Sequence, residues 1–232
     1  MNLYEFEGKK IFQKYEINIP KGIIVRREDD YILAYKKLKT KDVVLKVQVL
    51  SGKRGKNKGI LFASTDREVE NGCKKLFDLK SLNQYVFAIL IEENINIQEE
   101  QYLSITYDTN KKQPVLVYSK KGGVDIEDVH DQFIERHYLD VREEKINYSI
   151  PCAQGLWDCF LQEDARIVEI NPLIITTDGH YIAADAKVAL DDDAFYRHSS
   201  WNEFSARTMM GRLPTEREKA VIEIDKGESY YR

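Results

Sequence analysis

The run Ile167-Val168-Glu169-Ile170-Asn171-Pro172-Leu173-Ile174-Ile175-Thr176, then Thr177-Asp178-Gly179 and a return from His180 to Val188, constrains this chain more than any other stretch. Both arms are rich in β-branched and apolar residues. Thr177-Asp178-Gly179 has the form of a three-residue loop with glycine free to take the left-handed position, so the spacing predicts a β-hairpin. If residues 176 and 180 close the loop, Asn171 faces Asp185 and Glu169 faces Lys187. Side chains alternate along a strand, which puts Val168, Ile170 and Ile174 on an apolar face with Ile182, Ala186 and Val188. Glu169, Asn171, Asp185 and Lys187 share the polar face. Opposed Cβ atoms lie about 4.5–5.5 Å apart, close enough for an amide oxygen and a carboxylate to converge on one cation. Oxygen-only ligation suits Mg²⁺, which keeps several waters and takes one or two protein oxygens together with substrate phosphates. The pattern equally describes the solvated face of an ordinary hairpin, and alone it leaves both readings open. Pro172 cannot donate to a ladder and points to an edge or a bulge.

With 232 residues the chain can bury a sizeable core, as one large domain or two small lobes. No apolar run approaches the roughly 20 residues that span a bilayer, and Glu5 and Glu7 stand where a signal peptide would have none, so a cytoplasmic, membrane-free protein is expected. Cys73, Cys152 and Cys159 are odd in number and lack CxxC spacing, which argues against a disulfide framework or a zinc site. A net charge of −4 argues against a general nucleic-acid role.

In chain order, Asn2 and Glu5 are spaced as a capping box for a first helix carrying Leu3, Phe6, Phe12 and Tyr15. Tyr31, Ala34, Tyr35 and Leu38 have helical spacing, and Asp42 to Leu50 alternates as a strand with Val43, Leu45, Val47 and Val49 on one face. Lys46 points away from that face. Ser51 to Gly59 then interleaves three glycines, Gly52, Gly55 and Gly59, with Lys53, Arg54, Lys56 and Lys58. Such a loop can wrap phosphate, through approachable backbone N–H groups and fixed cations, or can be a flexible solvated turn. It is not a Walker motif. Thr65 and Glu68 cap a further helix. Tyr85 to Ile91 reads as a buried strand running into Glu92, and Glu99 and Glu100 precede the strand Tyr102 to Tyr107. Both acidic positions, Glu92 and Glu100, are expected to be solvated strand ends. Pro114 to Ser119 pairs back on that strand, and Lys120-Lys121-Gly122-Gly123 is a second small glycine turn. His130 and His137 are expected on the surface. Pro151 suits the first turn of a helix with Leu156, Cys159 and Phe160 on its stripe and Trp157 at the margin. Trp201 and Phe204 look exposed and are expected to anchor a tail, and Pro214-Thr215-Glu216 starts a last short helix.

Met1-Asn2-Leu3-Tyr4-Glu5-Phe6 with Pro20, the strand Val44-Leu45-Lys46-Val47-Gln48-Val49 with its glycine loop, and Glu169-Ile170-Asn171-Pro172-Leu173 together resemble the β subunit of succinyl-CoA synthetase over almost the whole chain. The resemblance implies an α+β ATP-grasp fold of two α/β lobes: a smaller lobe over 20–96, inserted in a larger one made of 1–19 and 97–232. It also implies roles. Lys46 and Gly52, Lys53, Arg54 and Gly55 would contact ATP phosphates, with Lys46 and Arg54 catalytic. Glu92 would sit at the adenine hinge, Glu100 near the ribose, and Asn171 and Asp185 would hold Mg²⁺. Glu169 would help seat a phosphohistidine loop brought by an α-type, CoA-binding partner subunit, which implies a hetero-oligomer. The family's CoA-ligase domain has no counterpart in these residues, and Lys53, Asn57 and Lys58 stand where the family has small residues. Tyr118 to Asp128 and the tail from Arg197 to Arg212 are similar instead to the ATP-grasp part of ATP-citrate lyases and citryl-CoA synthetases. A nucleotide-binding regulatory module without turnover is the alternative of another class.

Overall fold

The computed structural model describes residues 1–50, 57–79, 85–204 and 215–229. Its first helix, α1, spans Glu5–Lys14. Asn2 does not cap it. The N-terminal strand segment is drawn against the later hairpin instead, with Leu3 N donating to Val188 O at 3.0 Å and Asn2 bridging Ala189, so the cap falls on Tyr4, whose N–H donates to Glu7 Oε2 at 2.9 Å.

There follow β1 (Gly22–Val25), α2 (Tyr31–Leu38), β2 (Val43–Gln48), β3 (Ile60–Ala63), α3 (Asp66–Phe77) and β4 (Ala88–Glu93). Side chains cap both helices: that of Thr65 accepts from Glu68 N, as the sequence predicts, and that of Asp30 from Leu33 N. The four strands form an antiparallel sheet in the order β1-β4-β2-β3. Val43, Leu45 and Val47 alternate onto the face beneath α2 and α3, against Tyr35, Val69, Cys73 and Leu76. The other face of β2 carries Val44, Lys46 and Gln48. Since Val44 pairs with Glu92 and Lys46 with Leu90, Lys46 and Glu92 are diagonal neighbours on that second face.

The larger sheet is built from β5 (Ile97–Asp108), β6 (Gln113–Ser119), β7 (Glu135–Tyr138), β8 (Ala165–Thr176), β9 (Tyr181–Ala183) and β10 (Lys187–Leu190). Its order is β10-β8-β5-β6-β7, with β9 also beside β8. Helix α4 (Ala153–Gln162) packs on it through Leu156, Cys159 and Phe160. Trp157, expected at the margin, is buried at 0% exposure, because its Nε1 finds Glu143 O at 2.9 Å. Trp201 is likewise inside rather than exposed: it is 1% exposed, donates to Glu163 Oε2 at 2.9 Å and stacks on His198, and Phe204 packs on the same core. Pro151 lies in the turn before α4. After Thr215, which caps by accepting from Glu218 N, α5 covers Glu216–Ser229. The cysteines are free, and burial pushes the Cys73 and Cys152 thiols up to about 12. Among the described residues no helix is long and apolar enough to cross a membrane.

The hairpin forms with the expected loop. Thr176 N donates to His180 O at 2.9 Å and Gly179 takes φ +85. Leu173 pairs with Ala183, Glu169 with Lys187 and Val168 with Val188. Between these pairs, however, strict alternation breaks. The ladder to β5 shifts between Gln101, opposite Leu173, and Leu103, opposite Ile170, so Asn171 and Pro172 together stand against Tyr102 as a bulge; their peptide bond is cis. A one-residue bulge reverses which side chains face inward. Val168 and Ile170 point into the core before it, and Leu173, not the expected Ile174, does so after it.

Candidate functional site

The second face of the small sheet meets α1. Glu5 and Lys9, one helical turn apart, project toward β2 and β4, and four charged side chains come together out of water: Glu5 at 3%, Lys9 at 2%, Lys46 at 8% and Glu92 at 2% exposure. Lys9 Nζ lies 2.8 Å from Glu5 Oε1 and 2.6 Å from Glu92 Oε2. Lys46 Nζ pairs with Glu92 Oε1, lies 3.2 Å from Glu5 Oε1 and donates to Ala184 O at 2.7 Å. Gln48 closes the edge, donating from Nε2 to Glu5 Oε2 at 3.2 Å and accepting from Phe6 N at 3.1 Å. Burial pulls the Lys46 amine down, but Glu5, Glu92 and Asp185 outweigh it and hold the pKa above the ordinary lysine value. Glu92 is therefore no solvated strand end. Desolvation of a carboxylate is tolerated there because two ammonium groups meet it.

Ala184 ties this cluster to the hairpin. Residues 184–186 lie between β9 and β10, where the Ala184 carbonyl accepts from Lys46 and Asp185 stands within electrostatic reach of the amine. Asn171 and Asp185 form no ladder pair; both lie between the Leu173–Ala183 and Glu169–Lys187 pairs. Gly8 lets α1 lie against this segment: an added Cβ would be 3.2 Å from Ala186 Cβ. Glu169 is held by Tyr102, whose hydroxyl donates to Oε2 at 3.1 Å, with Lys187 Nζ at 3.6 Å. Burial, opposed by Lys187 and Tyr102 and helped by Asp185, raises the Glu169 carboxyl above the usual glutamate range.

Asn171 and Glu100 meet at the second glycine turn. Asn171 Oδ1 accepts from Gly123 N and its Nδ2 donates to Val124 O, both at 2.9 Å. Gly122 N donates to Glu100 O at 2.9 Å, and a Cβ on Gly123, which takes φ +72, would come within 2.2 Å of Glu100 Oε2. Only glycine allows that approach. Glu100 is exposed, as expected, but lies within β5 rather than ahead of it, and its carbonyl helps hold the turn that binds Asn171. Gly52, Lys53, Arg54 and Gly55 lie outside the described residues. An open cleft of about 760 Å³ sits where the chain crosses between the sheets, beside Asn18, Asn94 and Thr176, and none of the candidate residues lines it.

Among the described residues no three His, Cys, Asp or Glu side chains converge as a metal site. A pair of oxygens is what remains. Asn171 Oδ1 keeps a second lone pair beyond its bond from Gly123, and Asp185 supplies a carboxylate, which fits a hard cation that takes its other ligands from water or phosphate. Sequence reasoning missed Glu5, Lys9 and Tyr102. Glu5 and Lys9 have the i, i+4 spacing of a helix-surface ion pair, and nothing local distinguishes a buried pair from a solvated one.

Residues 2–150 match the ATP-grasp domain family. The chain belongs to the ATP-grasp family. Among curated relatives, this ATP-grasp chain is 39% identical over 246 residues to the ADP-forming succinate–CoA ligase subunit beta of Methanocaldococcus jannaschii, covering 97% of this chain and 65% of that one. It is 32% identical over 254 residues to the same subunit of Bacteroides fragilis, covering 100% and 65%. It thus spans a little under two thirds of the length of these relatives. Of solved structures, ATP citrate lyase from Methanothrix soehngenii in complex with citrate and coenzyme A superposes with a TM-score of 0.72 at 22% identity, over 97% of this chain and 60% of that one. An acetyl-coenzyme A synthetase from Ca. Korarchaeum cryptofilum gives 0.65 at 16% identity, over 82% and 93%. These share the ATP-grasp fold, the α+β class expected from the sequence.

Proposed function

We propose that this chain is the nucleotide-binding part of an ADP-forming acid–CoA ligase of the succinyl-CoA synthetase β type. It would use Mg·ATP to phosphorylate a histidine on an α-type, CoA-binding partner, in a cytoplasmic hetero-oligomer. The observation that carries this reading is the convergence of Lys46, Glu92 and Asp185 where the small sheet meets the hairpin. A buried ammonium with a carboxylate within electrostatic reach suits a polyphosphate that travels with a divalent cation. The 39% identity to a succinate–CoA ligase subunit supports succinate as the acid.

In this reading residues 20–96 form the smaller lobe and 1–19 with 97–232 the larger, with nucleotide between them. Asn171 and Asp185 hold Mg²⁺, which offsets charge on the phosphate oxygens. Lys46 would turn its ammonium from Ala184 O to a phosphate, and Gly52, Lys53, Arg54 and Gly55, which lie outside the described residues, are the loop proposed to contact the other oxygens. Glu92 borders the adenine hinge, and Glu100, fixed by the Gly122-Gly123 turn, lies near the ribose. Glu169, oriented by Tyr102 and Lys187, receives the partner's histidine loop. The chain's contribution is positioning and electrostatic stabilisation as the terminal phosphoryl group moves.

Calorimetric titration with ATP, with and without Mg²⁺, tests the reading. Saturable binding strengthened by Mg²⁺ is expected; no binding at millimolar Mg·ATP overturns it. Phosphoryl transfer to the α-type subunit then tests the enzyme assignment against a regulatory one.

A further inference from the structure

The four charges that pair with one another here, Glu5, Lys9, Lys46 and Glu92, sum to zero, but they are not equivalent; Glu7, also buried on α1, accepts from Tyr4 N instead. An ammonium has three donor hydrogens. Those of Lys46 have three acceptors, Glu5, Glu92 and Ala184 O. If Lys46 turns to a phosphate, it leaves two carboxylates that are each 3% exposed or less. Unpaired, they would hold the amine back and repel the incoming phosphates through a low-dielectric interior. Lys9 touches the same two carboxylates, sharing Glu5 Oε1 with Lys46 at 2.8 Å and meeting the other oxygen of Glu92 at 2.6 Å, and at 2% exposure on a helix pinned to the larger sheet it stays where it is.

We infer that Lys9 is a positioning residue for nucleotide binding: held against Glu5 and Glu92, it supplies the counter-charge that lets Lys46 leave them for a phosphate. The inference rests on the proposed nucleotide site and adds to it a residue that touches no nucleotide. It also accounts for an arrangement that stability does not favour, since well-packed apolar residues in place of a buried ion cluster are often neutral or stabilising.

The sign of the charge balance supplies the test. With Lys9→Met, Lys46 is the one cation left for two carboxylates, and Mg·ATP affinity measured by calorimetry should fall by about tenfold or more. Lys9→Arg, which keeps the charge, should bind within about threefold of the native chain. So should the double variant Lys9→Met with Glu5→Gln, which removes one cation and one anion. A purely structural role predicts instead that the double variant is at least as impaired as the single one. Lys14→Met provides the control, because it loosens the other end of α1, at Glu163, without touching the cluster, and its affinity should be native. Measurements belong well below the melting temperature of every variant; should Lys9→Met not fold, Lys9→Gln takes its place. Native affinity in the uncharged Lys9 variant, or a double variant as weak as the single, overturns the inference while leaving the nucleotide site standing. A native chain that binds no Mg·ATP overturns both.

Discussion

The two ends of α1 are both fastened by buried charge, and they are fastened differently. At its N-terminal end Glu5 and Lys9 join Lys46 and Glu92, two cations against two anions, with every charge shared between two partners. At its C-terminal end one carboxylate collects neutral and charged donors: Glu163 accepts from Lys14 at 2.6 Å, Tyr15 at 2.7 Å and Trp201 at 2.9 Å. The second arrangement is an anchor. Its acceptor has a fixed set of donors from the helix and the tail, and next to it Asp164 holds Arg197 and His198 in the same manner. The first contains a lysine whose third partner is a backbone carbonyl at an interrupted ladder, so one of its bonds can be exchanged for a ligand. In the reading proposed above, the anchor is saturated by fixed donors, whereas the cluster holds a bond that a nucleotide would take over.

Breaking each end should separate stability from binding. Glu92→Ala has the largest expected effect, about 3–5 kcal/mol by thermal or urea denaturation, because it leaves two ammonium groups buried against one carboxylate, and it should abolish nucleotide binding as well. Glu163→Gln should cost about 1–3 kcal/mol, since its amide turns a donor toward groups that are themselves donors, while Mg·ATP affinity in calorimetry stays native. A Glu163→Gln chain that loses affinity would erase the distinction. Asp185→Ala inverts that pattern: a melting temperature near native, with Mg²⁺-dependent nucleotide affinity lower by about tenfold or more, some 1.4 kcal/mol. Gly123→Ala forces a side chain into the left-handed region and toward Glu100, and should cost about 1–2 kcal/mol together with a modest loss of affinity. The smallest effect is in pH. Glu163, for which burial is outweighed by bonds from Lys14, Trp201 and Tyr15, and Asp164, held by Arg197, are depressed below ordinary carboxylates. Their contribution is present above the unfolded value of about 4 and disappears as pH falls through the folded one. Lys46 is raised, so its contribution is present below about 10.4 and disappears as pH rises through its folded value. Acid titration followed by denaturation should therefore weaken the tail anchor, and alkaline titration the cluster.

Much of this was legible from local pattern. The cap at Thr65, the alternation of β2 and the glycine loop at 177–179 depend on neighbours a few residues away, and they formed as the spacing predicts. The constant pairing along the hairpin also held, which is why Glu169 meets Lys187. Ile174 went astray because the bulge at Asn171-Pro172 depends on Tyr102, a residue of another strand. Asn2 failed as a cap because Val188 and Ala189 claim the N-terminal segment for the sheet. Trp157 is buried rather than marginal, and Trp201 anchors the tail as expected but from inside, for a related reason: each has a hydrogen-bond partner remote in sequence, Glu143 O and Glu163.

The sequence by itself determined most of the elements, though not β1, β3 or β7, and, through the Glu169-Ile170-Asn171-Pro172-Leu173 run, the family. These follow from periodicity, turn chemistry and a contiguous motif, all short-range properties of a chain. Only the tertiary structure decided that Glu92 is a buried partner of Lys46 rather than a solvated strand end, and that Glu5 and Lys9 belong with them. Whether a charge is solvated or paired is set by what packs over it, and here α1 covers a strand face formed some 40 to 80 residues later, a distance across which no local pattern carries information.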